Sequence, residues 1–292
     1  MIRFSSIVRF VGLAVVFTLV VNTQLFAQSG WVKEKGKGYA QLSIAGFSSD
    51  RYFSTEGDQV LTAEGINYES LALSLYAEHG IGNRLNVIVN APLLKANRLS
   101  TTETVIGVGD IRLGLKYQLS SKLPLALSLE AELPTSNGES FAEAKEQLIP
   151  GIIEGINLPL SDGEFNVWTT VAGSQSFANG KAYGSLFFAL NSRTKGLSWQ
   201  WQSGAELGYQ PTEKLWLIGK FRVQKSFSEE VKTVPFLYGE GTEFSSVSAN
   251  AILNISEKLR FVAAYQNYLS LPIAHQNLYD GGTLSIGLAI EY

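Results

Sequence analysis

From residue 110 to residue 119 apolar and polar side chains take strict turns. Ile111, Leu113, Leu115, Tyr117 and Leu119 fall on one face, and Asp110, Arg112, Gly114, Lys116 and Gln118 on the other. Successive side chains of a strand point to opposite faces, so this reads as an amphipathic strand. A helix would set Arg112 and Lys116 beside Ile111 and Leu115 and leave no apolar stripe. The same alternation recurs along the chain. Leu71, Leu73, Leu75 and Ala77 oppose Ser70, Ser74, Tyr76 and Glu78; Leu125, Leu127, Leu129, Ala131 and Leu133 oppose Ala126, Ser128, Glu130 and Glu132. Leu284, Ile286, Leu288 and Ile290 oppose Thr283, Ser285 and Glu291. The pattern predicts twelve strands, at 37–47, 67–79, 84–95, 108–120, 123–134, 163–176, 182–193, 197–210, 214–228, 242–254, 258–269 and 281–292. Most exceed the roughly 5–6 residues usual in soluble sheets and are long enough to cross a bilayer at a tilt.

The connections alternate in length. Short turns fall near 80–83, 120–122, 178–181, 211–213 and 256–257; longer loops fill 48–66, 96–107, 135–162, 229–241 and 270–280, and only the connection near 194–196 breaks the rule. Short turns at one rim and long loops at the other are the connectivity of an outer-membrane barrel, with the turns in the periplasm. An even strand number puts both chain ends on that same side.

Alternation alone leaves open which face is inside. A soluble sandwich or barrel turns its apolar face inward, whereas a membrane barrel turns it toward lipid. Three features favour the membrane. Aromatic residues gather near strand ends (Tyr39, Phe47, Tyr68, Trp168, Tyr183, Trp199, Tyr209, Trp216, Tyr268, Tyr292), as interfacial girdles do. Charges of both signs occupy mid-strand positions. The final strand carries Ile286, Leu288, Ile290 and Tyr292 at every second position, which resembles the C-terminal signal read by the outer-membrane barrel insertion machinery. The expected fold is all-β: a single-domain, 12-stranded antiparallel transmembrane β-barrel over 37–292, with short periplasmic turns and longer outer loops, partnered by the lipid bilayer.

The N-terminus carries the export signal that this location requires. Arg3 and Arg9 precede an apolar run over 10–21, whose twelve residues would reach only about 18 Å as a helix, too short to span a membrane. Cleavage after Ala27 would remove residues 1–27 as a signal peptide and leave 28–36 as a periplasmic N-terminal segment. The formal charge would pass from -3 to -5, with 21 basic against 26 acidic residues remaining. That balance offers no basic field for a nucleic-acid backbone, so no nucleic-acid partner is expected. The chain has no cysteine, which excludes disulfides, thiol catalysis and Cys-based zinc sites. His79 and His275 fall near opposite rims, so no shared metal or catalytic centre is expected, and no cofactor.

Three stretches resemble one known family. Gly107-Val108-Gly109-Asp110-Ile111-Arg112-Leu113-Gly114-Leu115-Lys116-Tyr117 is similar to a strand of the outer-membrane meta-pathway phenol-degradation and transporter family. Ala131-Glu132-Leu133-Pro134-Thr135-Ser136 is similar to that family's strand ending in Leu-Pro-Thr before a large outer loop, and residues 207–217 to its turn between two later strands. Order and spacing agree over roughly 65–230. The brief connection after Thr194 and the apolar stretch 149–160 depart from the family. The resemblance implies a 12-stranded, FadL-like channel for small hydrophobic or aromatic compounds.

Asp110, Arg112, Lys116, Glu130, Glu132, Glu206, Lys220, Arg222 and Arg260 are the candidate lumen-lining residues. They either line a conduit and bias which solutes pass, or close the interior as a polar core of ion pairs. Pairing of Arg112 with Glu130 or Glu132 is expected to be structural. In the loop 135–162, residues 141–148 predict a helix, and Phe141, Leu148, Ile152, Ile153 and Ile156 form a candidate constriction or hydrophobic portal. The alternative is that this segment extends the wall above the membrane. Ser136-Asn137-Gly138 is similar to part of the motif of outer-membrane phospholipases, but no histidine lies nearby in sequence to serve as base. The reading is therefore a channel-like outer-membrane transporter for a small solute of unknown identity and not an enzyme. Its alternatives are a structural or loop-binding barrel with a filled lumen and, less well supported, a lipid-modifying barrel.

Overall fold

The computed structural model describes residues 28–120, 122–146, 155–194, 198–227 and 242–292. The expected signal peptide and the loop 229–241 lie outside these residues. Twelve antiparallel strands close into one barrel: β1 (Gly38–Ser49), β2 (Tyr68–Gly80), β3 (Leu85–Leu99), β4 (Ile111–Gln118), β5 (Leu125–Leu133), β6 (Asn166–Phe177), β7 (Ala182–Arg193), β8 (Gln200–Thr212), β9 (Leu215–Ser226), β10 (Phe244–Asn254), β11 (Leu259–Leu269) and β12 (Thr283–Glu291). Each strand pairs with its neighbours in sequence, and β1 closes the ring on β12, from Tyr39 opposite Glu291 to Phe47 opposite Thr283. All twelve expected strands are present, with shifted ends.

The shifts have local causes. β4 begins at Ile111 and not at 108, because Val105–Gly107 pairs separately with Lys95, Ala96 and Asn97 on β3. Between these ladders the Gly109 amide donates to the Pro92 carbonyl at 3.0 Å, where proline has no N–H to continue the pairing. β6 begins at Asn166 because the chain before it turns into the bore.

The faces settle the orientation. Leu129 is 57% exposed, Leu186 67% and Leu207 69%, while Arg112 is 5% and Lys116 4% exposed. Apolar rows cover the outside and ionised side chains crowd the interior, the inverse of a soluble barrel. Backbone N–H and C=O groups are paired around the closed ring, as a hydrocarbon environment demands. Leu288 and Ile290 of the C-terminal row are exposed, and Tyr292, also exposed, accepts the Gly38 amide at its carbonyl.

Above the long-loop end, Arg51–Phe53, Gln59–Leu61 and Leu278–Tyr279 form a small sheet. A buried cluster of Phe47, Tyr68, Leu99, Ala142 and Leu158 lies at the same end. Residues 141–148 do not form the expected helix where they are described: Phe141–Glu143 is a short strand paired with Gly155–Asn157. An isolated two-turn helix is marginal, and here burying Ala142 in the cluster and gaining a ladder outweighs helix propensity.

Candidate functional site

Among the described residues, two chambers of about 360 Å³ each lie in the interior, one toward the long loops and one toward the short turns. In the outer chamber, Arg112 on β4 faces Glu132 on β5 in direct register, and their 2.8 Å ion pair is nearly dry. The Trp168 indole on β6 donates to the same carboxylate, and the Arg112 guanidinium lies 4.4 Å from its ring centre. Sequence allowed either Glu130 or Glu132 as partner; register selects Glu132. Arg222, Gln202, Gln224, Phe244 and Tyr268 complete much of the opposite wall.

The roof of this chamber is the stretch 158–164. Lys95 Nζ donates to the Leu160 carbonyl at 2.8 Å, and Asn97 Nδ2 to the Pro159 carbonyl at 2.9 Å. Arg193 on β7 holds Glu164 at 2.9 Å and Asp162 at 3.5 Å. Asp110 anchors the same turn, accepting from the Asp162 amide at 3.1 Å and the Thr135 amide at 3.3 Å. Burial pushes the Asp162 carboxyl above the usual aspartate range, opposed by the Glu164 amide, Asn166 and Arg193. Five residues were candidates for a constriction. Phe141 and Ile156 are exposed on the short hairpin and line neither chamber; Leu148, Ile152 and Ile153 lie outside the described residues. The inward turn begins two residues after Ile156, where the lysine and asparagine of β3 offer its backbone carbonyls buried donors.

A belt separates the chambers. Lys116 on β4 reaches across β3 to Glu78 on β2 at 3.2 Å, and Glu78 also accepts from Asn86 at 2.6 Å and Tyr76 at 3.1 Å. Glu130 and Ser128 lie beside it around a gap of about 20 Å³, which Gln28 and Ser29 also line. The inner chamber follows, with Tyr39, Tyr183, Ile218, Ile252 and Val262 in its wall. Its charges are paired: Glu206 with Lys220 at 2.7 Å in direct cross-strand register, and Arg260 with Glu291, which also meets Lys33 at 2.7 Å. Of residues 28–36, expected as a periplasmic segment, Gln28 to Lys33 lie inside the wall at the short-turn end, while Glu34, Lys35 and Gly36 are exposed.

All nine candidate lumen residues face the interior, Asp110 at its roof and Arg260 near the opposite rim. Sequence reading missed Glu78, Lys95 and Arg193 as members of these networks, and placed Trp168 in an interfacial girdle, whereas it is buried against Arg112 and Glu132. Glu78 and Trp168 meet partners one or two strands away, and Lys95 and Arg193 meet theirs in the inward turn. His79 stacks on Tyr292 at the short-turn rim, while His275 meets the Leu269 carbonyl at the other.

Fold and interior together define a closed, outward-apolar, 12-stranded transmembrane β-barrel. No protein-family model matches the sequence, and no curated protein does. Among solved structures, the chain is similar to the COG4313 outer membrane channel from Pseudomonas putida F1: TM-score 0.62 at 14% identity, covering 93% of this chain and 100% of that one. Fainter likeness extends to the translocator domain of the autotransporter NalP from Neisseria meningitidis (TM-score 0.47, 11% identity, 89% of each chain). It extends also to the toluene transporter TbuX of Ralstonia pickettii (TM-score 0.46, 10% identity, 89% of this chain and 90% of that one). The stretches that resemble the meta-pathway family fall on β4, on the end of β5 and around the β8–β9 turn.

Proposed function

We propose that this chain is an outer-membrane channel of a Gram-negative bacterium, delivered by a cleaved signal peptide, that passes a small solute passively. The observation that carries this reading is the pair of 360 Å³ chambers along the axis, lined by ionised and aromatic side chains. Paired charges keep water in the bore, and the faces of Tyr268, Phe244, Tyr39 and Tyr183 receive the hydrophobic or aromatic part of a solute. The C-terminal row Ile286, Leu288, Ile290 and Tyr292 serves the insertion machinery. Nothing in this reading requires the chain to catalyse a reaction. Purified protein in planar bilayers is expected to conduct ions, and in liposomes to admit small aromatic solutes. Failure of both the full chain and a chain lacking residues 28–35 to pass any ion or solute would overturn it.

The belt of Lys116, Glu78, Tyr76 and Glu130 favours a second reading, a barrel with a filled bore whose outer loops bind a partner. A lipid-modifying enzyme has less support. The Ser136 hydroxyl accepts the Gly138 amide at 3.3 Å, and both described histidines are engaged elsewhere. Lipid turnover abolished by Ser136→Ala would revive that reading.

A further inference from the structure

The wall of the outer chamber divides into two chemically different arcs. Along β7 to β9 it is amide: Asn191, Gln200, Gln202 and Gln224 point inward. Gln202 and Gln224 stand in direct register, with the Gln202 amide donating to Gln224 and Gln224 Nε2 donating onward to the Thr242 carbonyl at 3.1 Å. Asn191 donates to Gln200 Oε1 at 3.4 Å. These bonds use only part of what the amides offer, since each carries two N–H donors and an acceptor oxygen. Among the described residues, Gln200 Nε2 donates to nothing, Gln202 Oε1 accepts nothing, and the side chain of Gln266 on β11 makes no hydrogen bond. Gln200 and Gln202 are each 6% exposed, so their unused groups face the chamber and not open solvent.

The other arc, formed by β10, β11, β1 and β2, is aromatic. Phe244 and Tyr268 meet at 5.6 Å and Phe47 and Tyr68 at 6.0 Å, while Tyr68 stacks on Tyr279 at 4.1 Å with the planes 4° apart. Rings that brace one another in this way form a rigid platform. Charge is balanced. Four basic and three acidic side chains line the chamber, and Glu164, held by Arg193 at 2.9 Å, supplies a fourth carboxylate. These features select among solutes. A hydrocarbon would stack on the rings but cover the unused amide groups with apolar surface, which is unfavourable. A phenol satisfies one of them and leaves the others unmet. An anion gains little from a wall whose charges already cancel. A neutral ring with hydroxyls around its rim and C–H groups on its faces suits both arcs.

We infer that the outer chamber is a binding site for a neutral saccharide, whose ring C–H face lies on Phe244 and Tyr268 while its hydroxyls donate to Gln202 Oε1 and accept from Gln200 Nε2 and Gln266. The chamber's volume of about 360 Å³ is at the small end of ligand pockets, so the occupant is a mono- or disaccharide. The inference rests on the channel reading for its purpose and narrows the solute, but its test reads binding alone, so the two can fail separately. Saturation-transfer difference NMR on the full chain in phospholipid nanodiscs, corrected with empty nanodiscs, is run with maltose, glucuronate and phenol. Heat-modifiable migration on gels verifies that each variant barrel is folded.

Maltose is expected to show saturation transfer, strongest at the C–H protons of one ring face, and to bind more tightly than glucuronate or phenol. Gln202→Leu with Gln224→Leu replaces the amide pair by apolar side chains and should weaken maltose about tenfold without weakening phenol. Tyr268→Leu removes a ring, keeps the amides and should weaken maltose about fivefold. Absence of maltose binding, tighter binding of phenol or glucuronate, or maltose binding unchanged in both variants would overturn the site. Maltose bound by a protein that conducts no ion would leave the site standing and remove the channel. Conduction without maltose binding would remove the site alone.

Discussion

Lys116→Met tests whether the belt is held by charge. Lys116 and Glu78 are 4% and 6% exposed, 3.2 Å apart, and Glu78 is further held by Asn86 and Tyr76. Opposite charges at that distance attract by about 5 kcal/mol at an effective dielectric of about 20, before desolvation is deducted. Removing the lysine leaves a buried carboxylate uncompensated, with Glu130 nearby, and breaking such a pair costs about 3–5 kcal/mol. Lys116→Met combined with Glu78→Gln removes both charges and keeps the shape, so its cost should fall to about 1–2 kcal/mol, a strong non-additivity. Lys33→Met is the control: its pair with Glu291 is 34% and 30% exposed, and such pairs contribute about 1 kcal/mol or less. Urea unfolding of the protein in phospholipid vesicles, followed by tryptophan fluorescence, measures all of these. If Lys116→Met unfolds within about 0.5 kcal/mol of the unchanged protein, or the double variant merely sums the singles, the belt is not electrostatic.

Leu129→Arg sets a cation on the outer face, where Leu129 is 57% exposed, and should cost about 2–4 kcal/mol if that face meets the mid-bilayer. Unchanged unfolding in vesicles would mean that it does not meet acyl chains. Glu132→Gln leaves Arg112 without its carboxylate beneath Trp168. The reversal potential in a salt gradient should then move toward anions, and no movement would place this pair off the conduction path. Asp162 has a folded-state pKa above its unfolded value, so its contribution to stability is full below the unfolded value and is lost as pH rises through the folded one. Carboxyl NMR should find its midpoint above that of a free aspartate, and Asp162→Asn should remove this part of the pH dependence. A midpoint at or below the free value would contradict the buried turn.

Period-two alternation made the twelve strands, their order and their two chemically opposed faces readable from residue types, because side-chain direction on a strand depends on nothing beyond the backbone. The C-terminal row also pointed to which face meets lipid, but the aromatics did not: of the expected girdle, Trp199, Tyr209 and Tyr292 are exposed, whereas Tyr39, Phe47, Tyr68, Trp168, Tyr183 and Tyr268 turn into the interior. Pairing was different in kind. Arg112 could meet Glu130 or Glu132 until register put it opposite Glu132, and Lys116 found Glu78 two strands away over the small side chain of Asn86. Residues 141–148 look helical in isolation, yet the described part forms a strand because Ala142 is buried against Phe47 and Leu158. The inward turn at 158–164 and the entry of Gln28 to Lys33 into the bore leave no periodic trace at all. Local composition thus determined the wall, whose logic repeats every two residues. Closure of the ring alone decided what fills it, since the contacts inside join residues whose sequence separation carries no signal.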